Sequence, residues 1–208
     1  MNQQLVTMLE MQNEMNTRVH SAWRDQGFAW YRAIWTECAE LLDHYGWKWW
    51  KKQEPDLAQV KLELIDIWHF GMSILLLGEE SHAELSARCR LAFESPSSKL
   101  EFREAVEGFA ANTLTTRSFD PAAFVPVMKS VGMTFDELFT GYIGKNVLNF
   151  FRQDNGYKEG TYQKLWSGRE DNEHLVDILE GIDSGSGTFR ADVYAGLKET
   201  YESLGADS

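Results

Sequence analysis

The sequence predicts an all-α protein, and three features of its 208 residues support this fold class. Apolar residues recur at helical spacing in several long segments. Only four prolines occur, and no run of alternating β-branched residues dominates the chain. Gly27, Gly46 and Gly78 each follow one of the first three segments, where glycine commonly ends a helix.

Three helices are predicted in the N-terminal third of the chain. They cover about residues 4–24, 28–44 and 55–77. In the first helix, Gln12 and Asn16 fall on the same stripe as the apolar Met8 and Leu9. Pro55 is expected at the first position of the third helix, where its missing N–H costs nothing.

The remainder of the chain predicts further helices. Shorter ones fill residues 79–131, and a long one covers about residues 134–154. Thr134 is expected to cap the long helix together with Glu137 in a capping box. Two short helices near residues 173–179 and 191–204 follow, with a flexible Ser-Gly-Ser-Gly linker between them.

The composition excludes several classes of protein. A net charge of −12 disfavours binding to nucleic acid or to an anionic membrane, which would need a basic surface. The longest apolar stretch, residues 65–77, contains Asp66 and His69 and is too short and polar to span a membrane. No signal peptide is visible, and the two cysteines form no CxxC motif. We therefore expect a cytoplasmic protein, located in the host cytoplasm if the source is viral.

Two acidic pairs are the most informative motif. Glu37 and Glu40 are three residues apart on one predicted helix, and Glu63 and Asp66 repeat that spacing on the next. If the two helices pack antiparallel, four carboxylates converge and repel one another unless cations neutralise them. Carboxylate oxygens suit Mg²⁺ or Mn²⁺. The alternative is a solvated helix face, but the apolar neighbours of both pairs favour a metal site.

A di-iron site is a weaker interpretation of the same residues. Such sites need a Glu-x-x-His motif on each of two helices. Asp66 and His69 supply one similar motif, and the second helix supplies none.

Basic and hydrogen-bonding residues on the long C-terminal helix suggest a triphosphate site. Lys145, Asn149 and Arg152 share one face, and Tyr157 and Lys158 follow in a glycine-bearing loop. Arginine binds phosphate in a bidentate manner and lysine acts as a point charge. The alternative is an ordinary solvated face.

Aromatic and amide residues could form a pocket for a nucleobase. Trp47 and Trp50 follow the first acidic pair, and Phe70 lies one turn beyond Asp66. The alternative for these rings is core packing. If Gln12 and Asn16 are buried, their amides need partners, which could be a base edge or the backbone.

These segments resemble a known family. TECAELLDHYGWKWWKK, ELIDIWHF and GKNVLNFFRQDNGYKEGTYQKLW, followed by EDN, are similar to the dimeric all-α dUTPases. That family belongs to the all-α NTP pyrophosphatase superfamily, together with MazG-type enzymes. The resemblance implies one domain over residues 1–208, with a core at about 1–78 and 132–172. Residues 79–131 would be a helical insertion and 173–208 a helical tail.

The resemblance also implies roles for individual residues. Four carboxylates would hold Mg²⁺, and Glu37 would in addition activate the attacking water. The metal ligands would be Glu37, Glu40, Glu63 and Asp66. Uracil would be read by Gln12 and Asn16 with His69 nearby, and flanked by Phe70 and by Trp47 or Trp50. Phosphates and sugar would be held by Lys145, Asn149, Arg152, Tyr157 and Lys158.

The implied activity is hydrolysis of dUTP and dUDP to dUMP by a homodimer, with pyrophosphate released from dUTP. Two alternatives remain open at this point. A dCTP or broad dNTP pyrophosphatase is one, because the amide of an asparagine or glutamine can flip to meet cytosine as well as uracil. A non-catalytic helical interaction module is the other.

Overall fold

The computed structural model describes residues 1–96 and 100–205, and in these ranges nearly all regular structure is helical. The all-α prediction is confirmed. The helices are α1 (Asn2–Val19), α2 (Trp30–Tyr45), α3 (Leu57–Leu75), α4 (His82–Glu94), α5 (Phe102–Thr116), α6 (Pro121–Ser130), α7 (Phe135–Asp154), α8 (Asp171–Glu180) and α9 (Phe189–Gly205). No helix in these ranges has both the length and the apolar character to cross a membrane.

Two helix starts show how local capping decides the boundaries. The predicted capping box of α7 is confirmed, since the Glu137 carboxylate accepts a hydrogen bond from the Thr134 backbone N–H at 2.7 Å. The prediction that Pro55 is the first residue of α3 is wrong. Asp56 is the N-cap, and its carboxylate accepts a hydrogen bond from the Gln59 N–H at 3.2 Å.

A small antiparallel ribbon is the only β-structure that residues 1–96 and 100–205 contain. Strands β1 (Leu165–Trp166) and β2 (Arg169–Glu170) are joined by Ser167 and Gly168, both with positive φ. Positive φ at both central residues is typical of the tight turns that connect such ribbons. The sequence did not predict the ribbon, because two-residue strands are too short to show an alternating pattern.

The chain divides into two compact units, residues 1–139 and 140–208. In the first unit the core is aromatic. The buried ring of Trp68 on α3 lies 5.4–5.7 Å from those of Phe93, Phe119 and Phe124. Gly71, one turn further along α3, lets the Phe119 ring approach to 2.7 Å from the position of a β-carbon. The helices of residues 79–131 therefore share one core with α3.

Helices α2 and α3 run antiparallel in the first unit. The Asp56 N–H, just before α3, donates to the His44 carbonyl near the end of α2 at 2.9 Å. His44 lies beside Glu63, with Nε2 3.5 Å from Oε1, and Glu37 lies close to both Glu63 and Asp66. Residues earlier in α2 therefore lie beside residues later in α3. This antiparallel arrangement brings Glu37 close to Glu63 and Asp66.

The second unit is built around a different group of rings. Tyr201 of α9 stacks on Tyr162 at 5.6 Å, and Trp166 of the ribbon lies within 5.3 Å of both Tyr201 and His174. Phe151 of α7 packs edge-to-face against Tyr162, Trp166 and Tyr201 at 5.4–6.3 Å. These aromatic contacts connect α7, the ribbon, α8 and α9.

Candidate active site

Three carboxylates converge between α2 and α3. One oxygen each of Glu37, Glu63 and Asp66 lies within 4.8 Å of the other two, and all three residues are half-buried. Glu63 and Asp66 are three residues apart on α3, so they project from the same side of that helix. Glu37 meets them from α2. Three anionic groups this close repel one another strongly when they are partly shielded from water.

The pKa of Glu37 reflects this crowding. Burial, the nearby charge of Asp66 and a hydrogen bond with the Glu63 carboxyl raise the pKa of Glu37 from 4.5 to about 9. Without a cation, these interactions favour the protonated form of Glu37 at neutral pH. Bound cations would remove this repulsion and favour the ionised carboxylate.

The donor set fits a hard divalent cation. Carboxylate oxygens are the ligands that Mg²⁺ and Mn²⁺ prefer. Glu40 is exposed and is not one of the three converging residues, although its charge also raises the pKa of Glu37. Its part in metal binding stays a prediction. His69 is not one of the three converging residues, so the di-iron interpretation, which needs histidine ligands, gains no support.

A second polar cluster is buried between α1 and α3. The Gln12 side-chain nitrogen lies 3.0 Å from the Asn16 Oδ1 and 3.1 Å from the Ser73 Oγ. Asn16 Nδ2 donates to the same Ser73 oxygen at 3.0 Å, and His69 Nδ1 lies 2.8 Å from Gln12 Oε1. All four side chains are buried. The amides predicted to read a base are therefore held by side chains of α3.

Ser73 was not among the residues predicted from the sequence. Its position four residues after His69 places both on one face of α3, which is a signal that could have been used. Helix α3 thus contributes residues to both clusters. Asp66 of the acidic cluster and His69 of the amide cluster are only three residues apart.

The aromatic candidates fall into two groups. Phe70 is half-buried, and its ring lies 6.2 Å from the Trp30 ring. Trp30 has a buried indole N–H with no hydrogen-bond partner among the described residues, and the sequence analysis assigned it no role. Trp47 and Trp50 in the connector between α2 and α3 are exposed and contact each other edge-to-face at 5.3 Å. Core packing is therefore the wrong interpretation for these two tryptophans.

The predicted phosphate-binding residues of the second unit have protein partners. Arg152 forms a bidentate pair with Asp171, with N–O distances of 2.8 and 2.7 Å. Arg152 also donates to the Asn149 Oδ1 at 3.3 Å, and Lys145 donates to the Asn172 Oδ1 at 2.9 Å.

Asp171 is the centre of this network. It is completely buried at the start of α8 and also accepts a hydrogen bond from the Tyr162 hydroxyl at 2.8 Å. Burial raises the pKa of Asp171, but the hydrogen bonds and charge of Arg152 outweigh it and hold the pKa below its usual range. The sequence analysis gave neither Asp171 nor Asn172 a role, although both belong to the EDN segment.

Tyr157 and Lys158 are exposed in the loop after α7. The Lys164 ammonium lies 5.8 Å from the centre of the Tyr157 ring. The contacts of these two residues, and those of Lys145, Asn149 and Arg152, with phosphate or sugar stay predictions.

Comparison with known families decides the class of protein. A family model described as dUTPase matches residues 4–157, well over half of the chain. The chain belongs to the all-α dUTPase family. It is therefore an enzyme, a dUTP diphosphatase, and its substrate is a nucleotide. A search of curated proteins finds no match.

Most of the candidate residues lie in the matched range. The three converging carboxylates, the amide cluster and the basic face of α7 lie inside residues 4–157, whereas Asp171 and Asn172 lie beyond it. Enzymes of this family typically depend on a divalent metal ion, and the acidic cluster of Glu37, Glu63 and Asp66 has the donors for one.

Proposed function

We propose that the enzyme hydrolyses dUTP to dUMP and pyrophosphate in a Mg²⁺-dependent reaction, and that it also accepts dUDP. The observation that carries this proposal is the cluster formed by Glu37, Glu63 and Asp66 between α2 and α3. Carboxylates in this arrangement are unfavourable by themselves, and Mg²⁺ ions would supply the positive charge that both the cluster and an anionic triphosphate need.

The residues of the cluster have distinct roles in this proposal. Glu37, Glu63 and Asp66, with Glu40 as a further ligand, would hold Mg²⁺, for which Mn²⁺ can substitute. The metal would neutralise charge on the phosphates and on the leaving pyrophosphate. Glu37 accepts the proton of the water that attacks the β-phosphorus. A base must lie within hydrogen-bond reach of that water, and the position of Glu37 in the cluster supports this role.

The amide cluster accounts for recognition of the base. Asn16 and Gln12 would contact the uracil edge with His69 nearby, and Phe70 would lie against the ring together with Trp47 or Trp50. Cytosine is the principal competitor because it has the same size and shape. We infer further that the enzyme is a cytoplasmic homodimer that lowers the dUTP pool and supplies dUMP, as the family resemblance implies.

A substrate panel tests the proposed activity. Rates and products would be measured with Mg²⁺ for dUTP, dUDP and the four standard deoxynucleoside triphosphates. We expect dUTP to have the highest kcat/KM and to yield dUMP and pyrophosphate. A higher kcat/KM for dCTP would replace uracil with cytosine as the preferred base. No turnover of any nucleotide would contradict the proposed activity.

Addition of Mg²⁺ is expected to stabilise the protein even without nucleotide. The ion neutralises the carboxylates of Glu37, Glu63 and Asp66, and a ligand present at about 100 times its Kd contributes about 2.7 kcal/mol. For a protein of this size the thermal midpoint should rise by about 5–10 °C. Thermal unfolding in EDTA and in excess MgCl₂ measures the shift, with NaCl of equal ionic strength as the control. Equal midpoints in MgCl₂ and NaCl would contradict a cation site in the free enzyme.

A further inference from the structure

We propose that Ser73 is a positioning residue that orients the amides of Gln12 and Asn16 and thereby makes the enzyme prefer uracil to cytosine. This inference rests on the proposed function, in which those amides meet the base. It concerns a residue buried between α1 and α3 that has no other assigned role.

A serine hydroxyl has a limited hydrogen-bonding capacity. Such a group has one proton to donate and two lone pairs that accept. Ser73 donates its proton to the His69 carbonyl oxygen at 3.1 Å. Its oxygen can then only accept, and its two remaining neighbours are Gln12 Nε2 at 3.1 Å and Asn16 Nδ2 at 3.0 Å. All the hydrogen-bonding capacity of Ser73 is therefore used.

This arrangement fixes both amides. While Ser73 donates to the His69 carbonyl, a flip of either amide would bring its carbonyl oxygen against the Ser73 oxygen with no proton between them. Such a contact is unfavourable in a buried position, because neither oxygen can be satisfied by the other or by bulk water. Ser73 thus removes the ambiguity that an amide normally has, and it does so for Gln12 and Asn16 together.

The orientation of the Gln12 amide determines the hydrogen-bonding roles of Asn16 and His69. Gln12 Nε2 uses its two hydrogens on Ser73 and on the Asn16 Oδ1. Gln12 Oε1 is then an acceptor facing His69 Nδ1 at 2.8 Å, so that ring nitrogen must carry a proton. The position of one serine hydroxyl therefore determines the tautomer of a neutral His69 as well as the direction of both amides.

Asn16 is the residue whose orientation matters for the base. One hydrogen of its Nδ2 goes to Ser73, and its Oδ1 accepts from Gln12. The second hydrogen and the second lone pair have no partner among residues 1–96 and 100–205. An amide in this state presents a donor and an acceptor side by side, in an order set by Ser73.

Uracil and cytosine differ in that order. Uracil N3 donates a hydrogen bond and its O4 accepts, whereas cytosine N3 accepts and its N4 amino group donates. For a ring held in one position, a fixed amide matches only one of these patterns, and the other requires a flip. A site that leaves buried polar groups unpaired with the wrong ligand discriminates strongly. Loss of Ser73 would permit the flip and weaken the discrimination.

The test compares variants of Ser73 by their selectivity. We expect Ser73→Ala to lower the ratio of kcat/KM for dUTP to that for dCTP by about tenfold or more, mainly through KM. Ser73→Cys keeps the size of the side chain but is a weak acceptor, and we expect a reduced ratio here as well. Ser73→Thr retains the hydroxyl and should retain the ratio. Thermal unfolding of each variant establishes that it is folded.

Ser86→Ala is the matched control. Ser86 is also a buried serine on a helix of the first unit, and it donates to the Ala83 carbonyl at 2.9 Å. We expect this variant to lower the thermal midpoint and to leave the selectivity unchanged. If Ser73 had only a structural role, Ser73→Ala would behave like this control. The midpoint would fall, kcat/KM would fall equally for dUTP and dCTP, and their ratio would not change.

The outcomes separate this inference from the proposed function. A wild-type enzyme without preference for dUTP would contradict the proposed function and, with it, the selectivity assigned to Ser73. A wild-type preference for dUTP that survives in both Ser73→Ala and Ser73→Cys would contradict the Ser73 inference alone. A preference lost in these two variants and kept in Ser73→Thr supports both.

Discussion

Replacing Glu37 with glutamine is expected to lower kcat by about 10²-fold or more and, at the same time, to stabilise the metal-free protein. The loss of activity follows because an amide cannot accept the proton of the attacking water. The gain in stability follows because Glu37 lies with Glu63 and Asp66 in a half-buried cluster in which each carboxylate opposes the ionisation of the others. A residue that destabilises the fold and supports the chemistry is characteristic of an active site.

The pH dependence of this gain follows from the pKa of Glu37. Burial and the neighbouring carboxylates raise the pKa of Glu37 from 4.5 to about 9, so the folded state holds the proton more tightly than the unfolded state. The contribution of Glu37 to the free energy of unfolding of the wild-type protein therefore decreases as the pH rises from about 4.5 towards 9. The variant lacks the titrating group, so its advantage should be small at mildly acidic pH and larger at mildly alkaline pH.

Thermal unfolding in EDTA at two pH values measures this difference. Glu107→Gln is a suitable control, since Glu107 is an exposed residue of α5 in the same unit and the substitution makes the same change in charge. We expect the control to retain activity and to have an almost unchanged midpoint. A Glu37→Gln enzyme with wild-type kcat, or one that is less stable than wild type in EDTA, would contradict the assignment of Glu37.

Removal of the Asp171 carboxylate is expected to have the largest effect on stability. In Asp171→Ala the Arg152 side chain, which is only 10 % exposed, loses its bidentate partner, and the Tyr162 hydroxyl loses an acceptor. Breaking a buried ion pair by removing one member typically costs about 3–5 kcal/mol, because the remaining charge stays in a poorly solvated position. The segment before α8 would then be less firmly held to α7.

The chain offers a matched control for this experiment. Arg169 and Asp177 form a similar pair at 2.8 Å, but their side chains are 47 % and 59 % exposed. Asp177→Ala should therefore destabilise the protein far less than Asp171→Ala, because water screens the exposed pair. Urea unfolding of both variants, followed by tryptophan fluorescence, gives the comparison. Equal destabilisation by the two substitutions would show that burial of the Arg152–Asp171 pair does not matter.

Much of the acidic site was predictable from spacing within single helices. Glu63 and Asp66 at i and i+3 project from one side of α3, and the opposing Glu37 follows once α2 and α3 are antiparallel. Glu40 shows the limit of this reasoning. A separation of three residues leaves two side chains about 60° apart around a helix, so one can face the neighbouring helix while the other is exposed.

The polar networks were less predictable because their partners are distant in sequence. Ser73 lies 61 residues from Gln12 and 57 from Asn16, and Asp171 lies 19 residues from Arg152. Periodicity identifies residues that share a face of one helix, but it does not say which residue of another element meets them. The family resemblance indicated the amides that we propose to bind the base, and only the packing of α1 against α3 revealed the serine between them.

The most direct test of the central claim is product analysis of dUTP hydrolysis by wild-type enzyme and Glu63→Gln in parallel. Each is incubated with dUTP in Mg²⁺ or in EDTA, and the products are separated by anion-exchange chromatography. The three-carboxylate site predicts equal amounts of dUMP and pyrophosphate from the wild-type enzyme with Mg²⁺, and almost no product in EDTA or from Glu63→Gln. Release of dUDP and orthophosphate, or full activity of Glu63→Gln, would contradict it.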